Sequence, residues 1–176
     1  MGKQLDFSVD GKVRISMVDY IECMFKEFTG TLKKNCNSLA GPHLFRVRID
    51  GEEILLNELQ AAELHKVVAQ SLFLCKRARP DTQLMVAFMT TRVKKPDTDD
   101  WEKLCRLMSY LNATKSLPLI LSADDDNTIK WWVDASYAVH PDFCSHTGAT
   151  MSLGKGAAWS VSTKQRYLLR VLQSQN

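Results

Sequence analysis

The spacing of the apolar residues changes once along this chain, near Leu117. Over 57–112 apolar residues recur with the period of an amphipathic helix, whereas over 117–163 they tend to alternate with polar residues. Because helices and strands bury their apolar faces with these different periods, the spacing predicts helices first and a sheet second. The expected fold class is α+β.

Capping residues and prolines divide the helical region into three. Asn57 is predicted to cap a helix that runs to about Lys76, and Arg79-Pro80 ends it. A second helix begins at Asp81 and is expected to end at Lys95-Pro96. The third helix opens with a run of carboxylates: Asp97, Asp99, Asp100 and Glu102. We interpret this run as capping residues and not as a polymerase metal pair, because it opens a helix instead of a hairpin.

The first 56 residues predict a hairpin, a helix and a loop. Asp10-Gly11 separates two alternating runs, which favours a β-hairpin, and apolar residues over 18–28 follow a helical period. Residues 30–56 are expected to form a long loop, with a short strand over 44–49.

The alternating region predicts four strands: 117–122, 128–134, about 147–153 and 158–163. Asp124-Asp125-Asp126 is interpreted as a solvated turn, and Gly154-Lys155-Gly156 as a second turn. The glycine-containing turn lacks the following helix that a phosphate-binding loop requires.

An ordered set of short motifs resembles a known family. The C-terminal motifs are Trp131-Trp132-Val133-Asp134-Ala135-Ser136, Thr147-Gly148, Leu153-Gly154-Lys155-Gly156, Trp159-Ser160 and Lys164-Gln165. The upstream motifs are Leu5-Asp6-Phe7-Ser8, the Arg79-Pro80-Asp81 joint and the helix Trp101–Lys115. Taken in order, they resemble the end of the reverse transcriptase and the start of the ribonuclease H domain of copia-type long-terminal-repeat retrotransposons.

The resemblance implies four parts and a chain truncated at both ends. The parts are the end of the polymerase palm with a variable loop (1–56), thumb-like helices (57–116), a partial ribonuclease H-like domain (117–165) and a divergent tail (166–176). The paired aspartates of the polymerase would lie upstream of Met1. The implied parent activity is RNA-directed DNA synthesis with Mg²⁺-dependent cleavage of RNA in RNA–DNA hybrids.

Asp134 matches the first ribonuclease H carboxylate of that family. A two-metal site needs several converging carboxylates, yet the chain has no Asp or Glu after Asp142. We therefore expect Asp134 to be vestigial, to bind metal only if its missing partners were restored, and this chain to bind no Mg²⁺ and to be catalytically inactive.

Six cations lie within twenty residues and are opposed there by a single aspartate: Lys76, Arg77, Arg79, Arg92, Lys94 and Lys95. Clustered cations predict a phosphate-facing patch for an RNA–DNA hybrid or primer–template, and a solvated face is the alternative. Two other functions stay open: a non-enzymatic nucleic-acid-binding fragment and an unrelated α+β interaction module.

The cysteine pattern and the targeting signals indicate the cellular compartment and the kinds of metal site to expect. The five cysteines are scattered without a CxxC pair, which favours a reducing compartment and no zinc ribbon. His140, Cys144 and His146 lie close together but lack a fourth ligand. The chain shows neither a signal peptide nor an apolar run long enough for a membrane span, so a cytoplasmic or nuclear location is expected.

Overall fold

The computed structural model describes residues 2–33, 36–39, 41, 44–48, 51–126 and 128–166. Within these ranges it contains four α-helices and two antiparallel sheets, which confirms the α+β class. The helices are α1 (Val18–Glu27), α2 (Glu58–Cys75), α3 (Gln83–Thr90) and α4 (Thr98–Ala113), with a 3₁₀ turn at Pro80–Thr82. The strands are β1 (Gln4–Asp6), β2 (Val13–Ser16), β3 (Leu119–Ala123), β4 (Lys130–Ser136), β5 (His146–Ser152), β6 (Gly154–Lys155) and β7 (Trp159–Lys164).

The first sheet joins the N-terminal hairpin to β3 and β6 in the order β1-β2-β3-β6. The predicted hairpin is confirmed, and Gly11 takes the positive φ of 66° that such a turn favours. Strand β3 then pairs with β2, with Val13 opposite Leu121.

The turn predicted over Gly154-Lys155-Gly156 is wrong for its first two residues. They form β6, which pairs with the free edge of β3. A Cβ built on Gly154 would lie 2.6 Å from the carbonyl oxygen of Ser122, so only glycine allows this close approach. A glycine-rich sequence does not distinguish this strand from a turn.

The predicted starts of α2 and α4 are confirmed. The side chain of Asn57 accepts a hydrogen bond from the backbone N–H of Gln60 at 2.9 Å. Asp97 and Asp100 cap α4 reciprocally, each side chain accepting from the other's backbone N–H. Asp99 has a different role, because its carboxylate pairs with Arg48 at 2.7 Å.

One predicted helix end and one predicted strand are wrong. Helix α3 ends at Thr90, five residues before Lys95, and turns follow it. The Thr91 hydroxyl donates to the carbonyl of Phe88 at 2.7 Å and the Thr91 N–H also bonds within this last turn. Residues 44–48 form no strand, because Leu44, Phe45 and Val47 pack on the helical core instead of pairing; Ile49 lies outside the described residues.

The core lies among the four helices and the inner side of β2. Met85, Phe88 and Met89 of α3 are fully buried, whereas Leu84 of the same helix is 40% exposed. Helices α2 and α4 pack against α3, and α1 packs against α4, so α3 connects the helical core to the second sheet.

The second sheet has the order β4-β5-β7, and β7 packs against α3. Gln83 of α3 donates from Nε2 to the Ser160 hydroxyl at 2.7 Å, which ties the helix to the sheet. Strand β4 lies at the far edge and is exposed from Trp131 to Ser136. The predicted tail falls outside the described residues from position 167 onward. None of the helices among the described residues is both long and apolar enough to span a membrane.

Candidate functional site

A groove of about 840 Å³ separates α3 from one face of the second sheet. The helical wall consists of Pro80, Asp81, Gln83 and Leu84. The sheet contributes two aligned rows, Asp134–Gly148–Ser162 and Trp132–Thr150–Ser160. A Cβ built on Gly148 would meet nothing within 4 Å, so the groove is open above the middle of the first row.

Asp134 faces this groove from the edge strand. Its side chain is exposed, and its Oδ1 accepts a hydrogen bond from the N–H of Ala135 at 2.8 Å. Asp134 lies on the predicted strand, but the strand continues for two residues beyond it, to Ser136, instead of ending there. Asp134 thus lies on a strand that is paired with β5, but one of its carboxylate oxygens already accepts a hydrogen bond from the backbone of the next residue.

The groove does not fit a pair of Mg²⁺ ions. The carboxylate on the opposite wall, Asp81, pairs with Arg79 at 2.7 Å and accepts from the Tyr110 hydroxyl at 2.9 Å. Among the described residues, no group of three or more His, Cys, Asp or Glu side chains is close enough to hold a metal. Two closely spaced cations need more anionic ligands than Asp134 offers.

The six cations predicted to form one patch lie in different environments in the structure. Arg79 is only 2% exposed, and its guanidinium bonds to Asp81, the carbonyl of Thr114 and the Thr114 hydroxyl. Arg92 pairs with the buried carboxylates of Asp97 and Asp100 at 3.5 and 2.9 Å. Both guanidiniums are therefore occupied inside the protein, so these two residues do not belong to an accessible patch.

The other cations of that stretch lie at the surface in different settings. Lys76 and Lys94 are exposed, and Lys95 bonds to Glu53 at 2.8 Å. Arg77 lies over the ring of Phe73, with its guanidinium carbon 3.7 Å from the ring centroid. Since Phe73 is itself 39% exposed, Lys76, Arg77 and Phe73 form a combined cationic and aromatic surface at the end of α2; we call it the α2 end patch.

A second cavity, of about 770 Å³, brings together charges that are distant in sequence. Its charged lining residues are Lys33, Arg46, Arg48, Lys103, Arg106, Glu52, Asp99 and Glu102. The Lys103 ammonium donates to the Arg46 carbonyl at 2.6 Å, and burial lowers the pKa of this lysine. Sequence reasoning missed this group because Lys33, Arg46, Arg48 and Glu52 come from other segments, although Asp99, Glu102, Lys103 and Arg106 share one face of α4.

A buried histidine pair lies where the second sheet meets the helical body. His140 Nε2 and His146 Nδ1 are 2.9 Å apart, and His146 Nε2 is 2.7 Å from the Ser162 hydroxyl. The ring of Phe45 packs against both imidazoles. Burial is the main cause that lowers the pKa of each histidine. The imidazoles form a neutral hydrogen-bonded chain that reaches the groove floor at Ser162.

Comparison with known proteins gives one informative similarity. The chain is 25% identical over 175 residues to the Saccharomyces cerevisiae protein named "Putative transposon Ty5-1 protein". The match covers 94% of this chain and 52% of the yeast protein, so the chain spans about half the length of that relative. No protein-family model and no solved structure matches the chain.

Proposed function

We propose that this chain is a reverse transcriptase–ribonuclease H segment of a copia-type retrotransposon polyprotein that binds nucleic acid without cleaving it. The placement of Asp134 on the edge strand, facing an open groove, carries the proposal. The order of hairpin, helices and three-stranded sheet is the order expected for this segment, and the similarity to a transposon protein is consistent with it.

The groove is a poor site for hydrolysis, and its lining, among the described residues, contains no Lys or Arg that could contact phosphate. Cleavage of a phosphodiester by two Mg²⁺ ions needs carboxylates that converge on both ions. Here the second carboxylate of the groove, Asp81, is held by Arg79 and Tyr110. Asp134 would therefore face the groove without assembling a metal centre.

The α2 end patch is the surface that best suits nucleic acid. Lys76 supplies an exposed ammonium for phosphate contacts, and Arg77 and Phe73 together present a planar cation above an aromatic ring. Proteins that bind single strands combine such cations with aromatic rings on which bases stack. Tyr20 extends the aromatic surface, with its ring centroid 5.3 Å from that of Phe73.

Replacing both Lys76 and Arg77 with alanine should weaken binding to a fluorescently labelled RNA–DNA hybrid at every sequence tested. The plot of log affinity against log salt should become shallower by about one unit per lost phosphate contact. Fluorescence anisotropy at several salt concentrations measures this slope.

The matched control is Lys66→Ala, which removes a lysine from the same helix. Lys66 is already paired with Glu27 at 2.8 Å, so its removal should leave the slope unchanged. Equal slopes for the wild type and the double variant would exclude the α2 end patch as the binding surface. Undetectable binding at low salt would reject nucleic-acid binding by this chain.

A further inference from the structure

The cavity of about 770 Å³ is lined by α4 and by described residues between positions 33 and 52. Four residues of α4 contact that segment, and their spacing of three or four positions places them on one side of the helix. The contacts run in antiparallel order: Asp99 to Arg48 at 2.7 Å, Lys103 to the carbonyl of Arg46 at 2.6 Å, Arg106 to the carbonyl of Ser38 at 3.2 Å, and the Ser109 hydroxyl to the N–H of Lys33 at 2.8 Å. The wall that faces α4 is therefore held at several points.

Three cations that line the cavity have no carboxylate partner. Lys33, Arg46 and Arg106 form no ion pair with any residue in the described ranges. The other two lining cations, Arg48 and Lys103, already pair with carboxylates of α4 at 2.7 and 3.7 Å. The charges that remain available to a ligand are therefore those of the first three residues.

The guanidinium of Arg106 is oriented but only partly occupied. Its Nε donates to the Ser38 carbonyl at 3.2 Å, and its Nη2 lies 3.4 Å from the Ser38 hydroxyl. Its Nη1 has no hydrogen-bond partner among the described residues, and a Cβ built on Gly41 would lie 3.7 Å from it. Gly41 also lines the cavity. A side chain that is already held in place loses less conformational entropy when it binds a ligand.

The remaining lining suits a small organic molecule. Leu44 and Met85 are buried, and Val47 packs against the helical core. Two exposed carboxylates, Glu52 and Glu102, also line the cavity and can accept hydrogen bonds. Pockets of about 300–1,000 Å³ with apolar walls and a few polar groups commonly take small organic ligands. The cavity thus combines unpaired cations, an apolar wall and hydrogen-bond acceptors.

We propose that this cavity binds a free nucleoside monophosphate. The phosphate, with a charge of about −1.5 to −2 at neutral pH, pairs with the guanidiniums of Arg46 and Arg106, and Lys33 adds a third positive charge. The base packs against the apolar wall, and the carboxylates accept hydrogen bonds from its amino group. This site is separate from the α2 end patch and does not depend on nucleic-acid binding there.

Isothermal titration calorimetry of the full chain with adenosine monophosphate tests the site. We expect one molecule to bind per chain. Adenosine and inorganic phosphate should each bind at least about tenfold more weakly, because each lacks one half of the contacts. A 5′-phosphorylated oligonucleotide should not displace the mononucleotide. Equal affinity for adenosine or for phosphate, displacement by the oligonucleotide, or no binding at millimolar concentrations would overturn the proposal.

Arg46→Ala should weaken the binding of adenosine monophosphate about tenfold or more, because it removes a charge-assisted hydrogen bond. The Arg46 side chain has no partner among the described residues, so the fold should be retained. Arg14→Ala is the matched control, since it removes an exposed arginine of β2 outside the cavity and should leave the affinity unaltered. The double variant of Lys76 and Arg77 should also bind normally, which separates failure of this site from failure of the α2 end patch. Similar losses for Arg46→Ala and Arg14→Ala would show that the nucleotide responds to net charge and is not held in the cavity.

Discussion

Replacing Arg79 with alanine should lower the free energy of unfolding by about 3 kcal/mol, because the change breaks a buried ion pair and its hydrogen bonds. The guanidinium joins the 3₁₀ turn before α3 to the end of α4 through Asp81 and Thr114. It also lies 5.4 Å from the ring centroid of Tyr110. Asp81 keeps 32% of its side chain exposed, so the expected loss falls at the lower end of the range for broken buried pairs. Urea denaturation measures the loss as a shift of the midpoint at constant slope.

Arg77→Ala is the matched control for this change. The two arginines are two positions apart, but Arg77 lies at the surface over Phe73. Its removal should cost less than about 1 kcal/mol, the usual value of an exposed cation–π contact. Similar losses for both variants would show that Arg79 does not hold the turn to α4.

Stability should fall as the pH drops below about 6.5, because burial disfavours protonation of the histidine pair. Burial lowers the pKa of both His140 and His146 from the ordinary 6.5, so below that pH the unfolded chain binds more protons than the folded one. The contribution of the two neutral histidines to the free energy of unfolding is complete above pH 6.5. It is lost as the pH falls from there toward the folded-state pKa values. Each histidine adds a slope of up to about 1.4 kcal/mol per pH unit. Lys164 reinforces the shift at His140, and Asp142 opposes it.

Urea denaturation between pH 7.5 and 5 is the measurement, because carboxylates with lowered pKa, such as Asp99 and Asp142, affect stability only at lower pH, and Asp100, whose pKa is raised by burial, contributes a slope of the opposite sign. A His140→Gln, His146→Gln double variant should flatten the dependence. His65→Gln removes an exposed histidine from α2 and should leave the profile unchanged. A wild-type profile that is flat over this interval would contradict a neutral buried pair.

Local signals in the sequence were sufficient for most helix and strand positions. The Asn57 cap and the Asp97–Asp100 box act within three residues, so composition and spacing reveal them directly. Period-two alternation likewise located β4, β5 and β7 within a few residues.

Interactions between distant segments could not be predicted in this way. The pairing of β2 with β3 joins Val13 to Leu121. The burial of Arg79 depends on Thr114, which lies 35 positions away, so a run of cations gave no sign that two of its members were internal. The proximity of His140 and His146 was visible in the sequence, but the contact with Phe45 that buries them was not.

Release of labelled RNA from an RNA–DNA hybrid tests the central claim most directly. Purified wild-type chain and Asp134→Asn are incubated with Mg²⁺ and the hybrid, beside an active ribonuclease H as positive control. We expect no Mg²⁺-dependent release by either protein, because Asp134 lacks the partner carboxylates that a two-metal centre requires. Release by the wild type that Asp134→Asn abolishes would contradict the claim that this chain binds nucleic acid without cleaving it.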